Sequence, residues 1–321
     1  MRDKWGREIN YLRISVTDRC NLRCRYCMPE GNGQYVENHN LLTNEEFIRL
    51  CRILTDLGVK KIRMTGGEPL VRKNINELIE GIGSIEGVEE LCLTTNGILL
   101  YEHLDDFKAM GVTGINISLD SLNENTYRDI TKGDLNKVVK AIKRSLSLGI
   151  KTKINSVIMK GVNYDEIMDL ALLTEEYNLD VRFIELMPIG EGKKFNGVSS
   201  DELKRIIGVS REYEELTQGD KIKGPAEYIR IKGAKGKIGF ISAMSHNFCS
   251  NCNRIRLTSE GFLKLCLHWN EGKDMGELLR RGYSDDEIKN ILVSVINDKP
   301  KRHEFLSKQQ GDLRYMFQIG G

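Results

Sequence analysis

Eight cysteines occur in 321 residues, and six of them fall into two groups of three. Cys20, Cys24 and Cys27 lie together in the stretch SVTDRCNLRCRYCM. Thiols at such spacings converge on one centre only if the backbone between them loops. Asn21 and the cations Arg19, Arg23 and Arg25 suit a loop better than a helix face. The number of ligands then limits the metal. A structural zinc ion wants a closed tetrahedron of four protein ligands, and no histidine stands within or beside this motif. Three thiolates on a four-iron cubane instead leave one iron open to a small molecule. Tyr26 adds an aromatic edge and a backbone carbonyl beside the last thiol. Free cysteine is also an ordinary core residue, but burial alone does not explain three thiols this close.

The second group has the spacing Cys249-x2-Cys252-x13-Cys266. With His246 or His268 it would make a zinc site. With thiols alone it would hold a second four-iron cluster, again with one iron free for a substrate nitrogen or oxygen. An electron-transfer cluster has no use for a free position. Cys51 and Cys92 stand in apolar patterns and read as inert core.

Composition bounds the chemistry around these groups. Lys+Arg 48 against Asp+Glu 46 leaves a formal charge of +2, so no global basic field argues for nucleic acid, and any anion site must be local. No apolar run approaches the ~20 residues that span a bilayer, and the N-terminal MRDKWGREIN has no hydrophobic signal core. Cysteines grouped in threes suit metal ligation in a reducing compartment, so the cytoplasm is the expected setting.

The elements that must position the cysteines alternate along the chain. Strand-like runs recur at 11–17, 61–66, 90–95, 114–120, 151–158 and 181–187. Helical patterns lie between them at 44–57, 74–82, 101–110, 135–148 and 165–177. The first carries a capping box of Thr43 and Glu46, and Gly58, Gly111 and Gly149 stand where helices stop. Six βα repeats imply an α/β fold, an incomplete (βα)6 barrel of the TIM type, whose functional face is the C-terminal edge of its strands. The unusual residues do follow the strands: the first cysteines, then Thr65, Gly66, Gly67, Glu68 and Pro69, then Thr94, Thr95, Asn96 and Gly97. Ser118 and Asp120 end the fourth strand, Lys153 and Asn155 lie in the fifth, and Glu185 and Met187 close the sixth. Glycines at 66 and 67 allow close approach of a ligand to the backbone, and their amides could serve its polar groups.

A smaller domain is expected over 201–321, after a barrel domain over 1–200. It opens with a short helix at 201–207 and becomes antiparallel, with strands at 227–231, 237–243, 254–259 and 262–268 joined by the hairpin turns GAKG and SEG. It is expected to close the barrel.

CNLRCRYC has the C-x3-C-x-aromatic-C form of the radical S-adenosylmethionine (SAM) superfamily and resembles its members there. In that superfamily a GGEP-like segment holds the amino group of SAM. The resemblance therefore implies SAM-binding roles for Gly66, Gly67 and Glu68, and for Tyr26, Ser118 and Met187. With the second triad, CNRIR after its second cysteine and the terminal Gly320 and Gly321, the chain is similar to the GTP 3′,8-cyclase family over nearly its whole length. That likeness runs through RISVTDRCNLRCRYCMP, IRMTGGEPLVR, LTTNG, INISLDSL, RFIELMPIG and FCSNCNRIRLTSEG. It implies a lyase of molybdenum-cofactor biosynthesis with two 4Fe–4S clusters. A 5′-deoxyadenosyl radical takes hydrogen from C3′ of GTP, and the carbon radical closes on C8. GTP contacts are implied for Arg13, Arg63, Thr94, Lys153, Arg254, Ile255 and Arg256, and catalytic roles for Arg13, Arg254, Arg256, Gly320 and Gly321. Guanidinium groups suit triphosphate oxygens, and strand alternation puts Arg254 and Arg256 on one face. The implied partners are an external one-electron donor and a downstream cyclic pyranopterin monophosphate synthase. The likeness also allows a homodimer, for which no helix stripe marks an interface.

Two rival readings differ in class: another radical SAM enzyme with a different substrate, and a zinc protein that binds nucleic acid through its arginines. Three rather than four C-terminal cysteines, RIR and the Gly-Gly end weigh against the former. The loop between Met28 and Leu42 shows no chemical role, and 299–310 reads as a solvated helix face.

Overall fold

The computed structural model describes residues 1–28, 35–217, 224–246, 248–305, 307 and 311–320. Six parallel strands form its centre: β1 (Tyr11–Ser15), β2 (Lys61–Thr65), β3 (Glu90–Thr95), β4 (Gly114–Ser118), β5 (Thr152–Ser156) and β6 (Asp180–Ile184). They lie side by side in chain order, as βα crossovers require. The connecting helices are α1 (Asn44–Asp56), α2 (Ile75–Gly83), α3 (Leu104–Ala109), α4 (Glu124–Thr131), α5 (Leu135–Ser147) and α6 (Ile167–Glu176). Thr43 and Glu46 form the expected capping box on α1, and Gly58, Gly111 and Gly149 all have positive φ.

Alternation along the strands separates core from cavity. Leu12, Ile14, Ile62, Met64, Ile255 and Leu257 pack into the apolar core, whereas Tyr11, Arg13, Lys61, Arg63, Arg254 and Arg256 line a central chamber. Removing the apolar side chains from water supplies the main drive for this layer, at about 25 cal/mol per Å².

After α7 (Ser200–Ser210) the chain makes β7 (Tyr213–Leu216), β8 (Glu227–Ile231) and β9 (Ile238–Ile241), then β10 (Arg254–Leu257), β11 (Phe262–Lys264) and β12 (Gly272–Asp274). The hairpins are antiparallel, as their turns predict. Their docking was not legible: β9 pairs with β6 and β10 with β1, both in parallel, so the described residues form one twelve-stranded sheet. An open barrel leaves β1 and β6 with unpaired backbone edges, and this pairing satisfies both. Two helices, α8 (Met275–Arg280) and α9 (Asp285–Asn297), follow, and a short α10 (Met316–Ile319) precedes the terminal glycines. Among the described residues no helix is long and apolar enough to cross a membrane.

Candidate active site

The chamber encloses about 380 Å³, and all six cysteines of the two triads line it. Their positions follow from strand direction. Cys20, Cys24 and Cys27 come after the end of β1. Cys249 and Cys252 come just before β10, which runs parallel to β1 with Tyr11 opposite Arg254. The triads therefore stand at opposite ends of the strands, and a five-residue strand spans roughly 16 Å.

At the first triad the loop is held by Cys27 N–H and Met28 N–H donating to the Cys24 carbonyl, both at 2.9 Å. Gly66 and Gly67 pack directly beneath it. A Cβ on Gly66 would lie 2.5 Å from the Thr17 oxygen, and one on Gly67 would lie 2.3 Å from the Arg19 oxygen. The amides of Gly67 and Glu68 donate to the Thr17 and Arg19 carbonyls, so they brace the ligand loop and are not left for a ligand. An ammonium needs acceptors, so their use here costs such a ligand nothing. Glu68 is buried and accepts from Thr95 Oγ1 and Asn96 N–H, each at 2.7 Å. Burial pushes its carboxyl up to about 7 against those bonds. Tyr26 donates to Asp120 at 2.7 Å, and Ser118 and Met187 also face the chamber.

The second triad is clamped from outside. Arg7, ion-paired with Asp3 at 2.6 Å, donates to the carbonyls of Cys249 at 2.9 Å, Pro300 at 2.7 Å and Lys301 at 3.0 Å. Lys299 is only 2% exposed and lines the chamber. Its ammonium donates to the carbonyls of Arg254 and Leu265. The reading of 299–310 as a solvated face is thus corrected at its start; residues 306 and 308–310 lie outside the described residues. The next turns bring His303 and Phe305 to the chamber wall with His268. Burial holds both imidazoles below their ordinary pKa.

Between the triads Arg256, Arg13 and Arg63 stand in register on β10, β1 and β2. Burial and then the charge of Arg256 hold Arg13 well below the ordinary guanidinium pKa. Burial and Arg254 bring Arg256 to about 10. Tyr11 accepts from Arg63 Nε at 2.7 Å; burial pushes its phenol up, but the charges of Arg63 and Arg13 win and bring it to about 8. So crowded a row of cations favours a polyanion. The tail reaches it: Arg256 donates to the Gly320 carbonyl, and a Cβ on Gly320 would lie 2.8 Å from Thr65 Oγ1. Gly321 lies outside the described residues.

Most expected site residues meet here, with two exceptions. Ile255 points into the core at 0% exposure, because it alternates with the two arginines, so only its backbone can reach a ligand. Lys153 is engaged by Asp180 and Tyr228 and is not part of the chamber lining. Lys61, Arg182 and Lys299 line it unanticipated. Alternation with Arg63 would have found Lys61, and alternation with Ile184 would have found Arg182. Lys299 follows a helix and gives no periodic signal.

The sequence pattern of the Radical SAM superfamily matches residues 14–174, and that of Molybdenum Cofactor Synthesis C matches 179–305. A GTP 3′,8-cyclase of Clostridium perfringens strain 13 is 50% identical over 325 residues, spanning 100% of both chains. One from Peptoclostridium acidaminophilum is 46% identical, over 99% of this chain and 98% of that one. The chain belongs to the GTP 3′,8-cyclase family. Members of the radical SAM superfamily, GTP 3′,8-cyclases included, use a 4Fe–4S cluster and SAM. The fold agrees: SAM-bound SuiB of Streptococcus suis matches with TM-score 0.64 at 18% identity, over 88% of this chain and 68% of SuiB.

The first triad fits the cluster that the GTP 3′,8-cyclase family requires. All eight cysteines are free. Burial pushes the Cys20 thiol up to about 11 and Cys27 up to about 12, and carries Cys24 well above the thiol range, helped there by Cys27 and Asp120. Neutral thiols become ligands when a cationic cluster displaces their protons. Among the described residues no three His, Cys, Asp or Glu side chains close tightly enough to hold a single ion. A four-iron cluster is wider, with a separate iron for each thiolate.

Proposed function

We propose that this chain converts GTP to (8S)-3′,8-cyclo-7,8-dihydroguanosine 5′-triphosphate, the first step of molybdopterin biosynthesis. Two cysteine triads and a row of arginines lining one chamber carry the reading. When bound, the cluster on Cys20, Cys24 and Cys27 supplies the electron that cleaves SAM to the radical that removes hydrogen from C3′ of GTP. A second 4Fe–4S cluster on Cys249, Cys252 and Cys266 is part of the proposal. There burial acts upward on the Cys252 thiol, but the charge of Lys299 and the charge and hydrogen bonds of Arg254 bring it to about 7, which suits a thiolate ligand.

The chain's own groups divide the remaining work. Glu68, with the backbone of Gly66 and Gly67, receives the SAM ammonium, and Tyr26, Ser118 and Met187 bound the rest of that cofactor. Arg13, Arg63 and Arg256, with Lys61, Arg182 and Arg254, receive the triphosphate, and Thr94 borders it beside Arg63. Lys153 would join them only by leaving Asp180. The tail from Phe317 to Gly320 packs against the first triad and the arginine row, excluding water; Gly320 is assigned there as a catalytic assistant, and the same role is carried to Gly321 from the family resemblance alone.

The reading calls for an external one-electron donor, a downstream cyclic pyranopterin monophosphate synthase and a cytoplasmic setting that keeps the thiols reduced, and it allows a homodimer. It is tested by metal analysis of anaerobic protein, then incubation with reductant, SAM and GTP. About eight irons without zinc, and a product with a C3′–C8 bond, are expected. A zinc-bound protein or unconverted GTP would refute it.

A further inference from the structure

Lys299 is a buried cation whose only hydrogen-bond acceptors among the described residues are neutral. It is 2% exposed, and its ammonium donates to the carbonyls of Arg254, at 2.9 Å, and Leu265. Among the described residues no carboxylate pairs with it. Lysine is seldom enclosed unless it is paired, because a charge taken out of water without a counter-charge is strongly destabilising. Burial, the largest influence, acts against the charge of Lys299, and so do Arg7 and Arg254; the groups that favour it are Cys252 and Cys266.

The backbone aims this ammonium at the second triad. Lys299 N–H donates to the Ile296 carbonyl at the end of α9, at 3.1 Å, and the Lys299 carbonyl accepts from Trp5 Nε1 at 2.9 Å. Both acceptors of the side chain adjoin ligands: Leu265 directly precedes Cys266, and Arg254 follows Cys252 at the start of β10. The next residues reach the remaining cysteine. Arg7 joins the carbonyls of Pro300 and Lys301 to that of Cys249, and His303 N–H donates to Cys249 Sγ at 3.5 Å. One short segment, 299–303, therefore touches the surroundings of all three cysteines. An ammonium has three N–H groups, and the two carbonyls occupy two of them.

We propose that Lys299 is the positioning residue that supplies the counter-charge of the second 4Fe–4S cluster, favouring its reduced form and so raising its potential. This rests on the reading that Cys249, Cys252 and Cys266 hold such a cluster. Three thiolates outweigh the charge of an oxidised four-iron cubane, so the assembled cluster is anionic, and reduction makes it more so. Local charge, hydrogen bonds and exposure to solvent set the potential of such a cluster, and a buried charge is little screened by salt. Lys299 needs no carboxylate, because the cluster is its partner. Its two carbonyl bonds keep it there and out of the arginine row.

The test is an anaerobic potentiometric titration of the reconstituted protein followed by electron paramagnetic resonance, without SAM or GTP, with iron counted in each sample. Variants with one or the other triad replaced by alanine assign the two signals. The wild type should hold about eight irons. In Lys299→Gln, which is neutral but keeps N–H donors for the carbonyls, the potential of the second cluster should shift to more negative values while that of the first stays in place. Lys299→Arg, which keeps the charge, should stay near the wild type. An unmoved second potential in Lys299→Gln with iron content intact would overturn the proposal. Loss of the second cluster in Lys299→Gln but not in Lys299→Arg would support it, whereas equal loss in both would mean that the residue only packs, and would overturn it. An iron count of about four in the wild type would instead remove the second cluster itself; it is read before any variant is made, so the two failures separate.

Discussion

Arg256 on β10 donates a hydrogen bond to the carbonyl of Gly320, 64 residues further along the chain. The bond holds Gly320 against Ser15 and Thr65, beside a chamber that Arg256 and Thr65 both line. Gly320 has φ 76, a conformation that costs a non-glycine residue roughly 1–3 kcal/mol, and the space for a Cβ is already taken. Gly320→Ala should therefore lower turnover about 100-fold through misplacement of Arg256, with iron content and SAM binding retained. Anaerobic kinetics beside an iron assay check this; full activity would refute the role.

The tail is held in place by a buried ion pair. Lys264 and Asp312 are bonded at 0% and 4% side-chain exposure, and Arg314 also binds Asp312 at 2.8 Å. Removing one partner leaves the other charged and dry, so Asp312→Ala should cost about 3 kcal/mol of stability, measured by denaturant unfolding. Burial acts upward on the Asp312 carboxyl, but bonds from Arg314 and Lys264 win and hold it below the usual carboxylate range. Its stabilisation is thus present above the unfolded pKa of about 4 and is lost as pH falls through the lower folded value.

Glu68 titrates in the opposite sense. Its folded pKa of about 7 exceeds the unfolded value of about 4.3, so the native state binds more protons between the two. Stability therefore falls as pH rises across that interval. An ammonium needs the ionised form, so SAM affinity should drop about tenfold for each pH unit below 7. Isothermal titration across that range checks it, and Glu68→Gln should bind weakly at every pH with the slope gone.

The barrel was readable because each of its strands is a short apolar run with alternating faces and a helix between. All six strands appear within a few residues of their expected limits. What escaped notice depends on distant contacts. The parallel docking of β9 on β6 and β10 on β1 leaves no mark in either strand, and α4 is only eight residues long, with Tyr127, Ile130 and Thr131 as its buried positions, too short for a clear periodic pattern. Lys299 looked solvated because its neighbours Lys301 and Arg302 are charged, and only the fold shows it enclosed by carbonyls. The cysteine triads were legible because ligand spacing is local. Lys153 shares a strand face with the chamber-lining Asn155, but Asp180 and Tyr228 engage it, a contact that its own strand does not signal.

The clamp at the N-terminus makes another prediction. Arg7 is 8% exposed and fixes the Cys249 carbonyl together with the loop that carries Lys299. Arg7→Met should lower the iron content from about eight toward about four per chain, with SAM binding at the first triad retained. Uniform loss of both clusters would mean that Arg7 supports the fold alone.

The central claim is that the SAM-derived radical and the ribose of GTP meet in one chamber. The direct measurement uses GTP deuterated at C3′, incubated anaerobically with the reduced protein and SAM, with mass spectrometry of the 5′-deoxyadenosine. One deuterium should appear in the 5′-deoxyadenosine, with the cyclised nucleotide formed in step. 5′-Deoxyadenosine free of deuterium, released while GTP is consumed, would contradict the account.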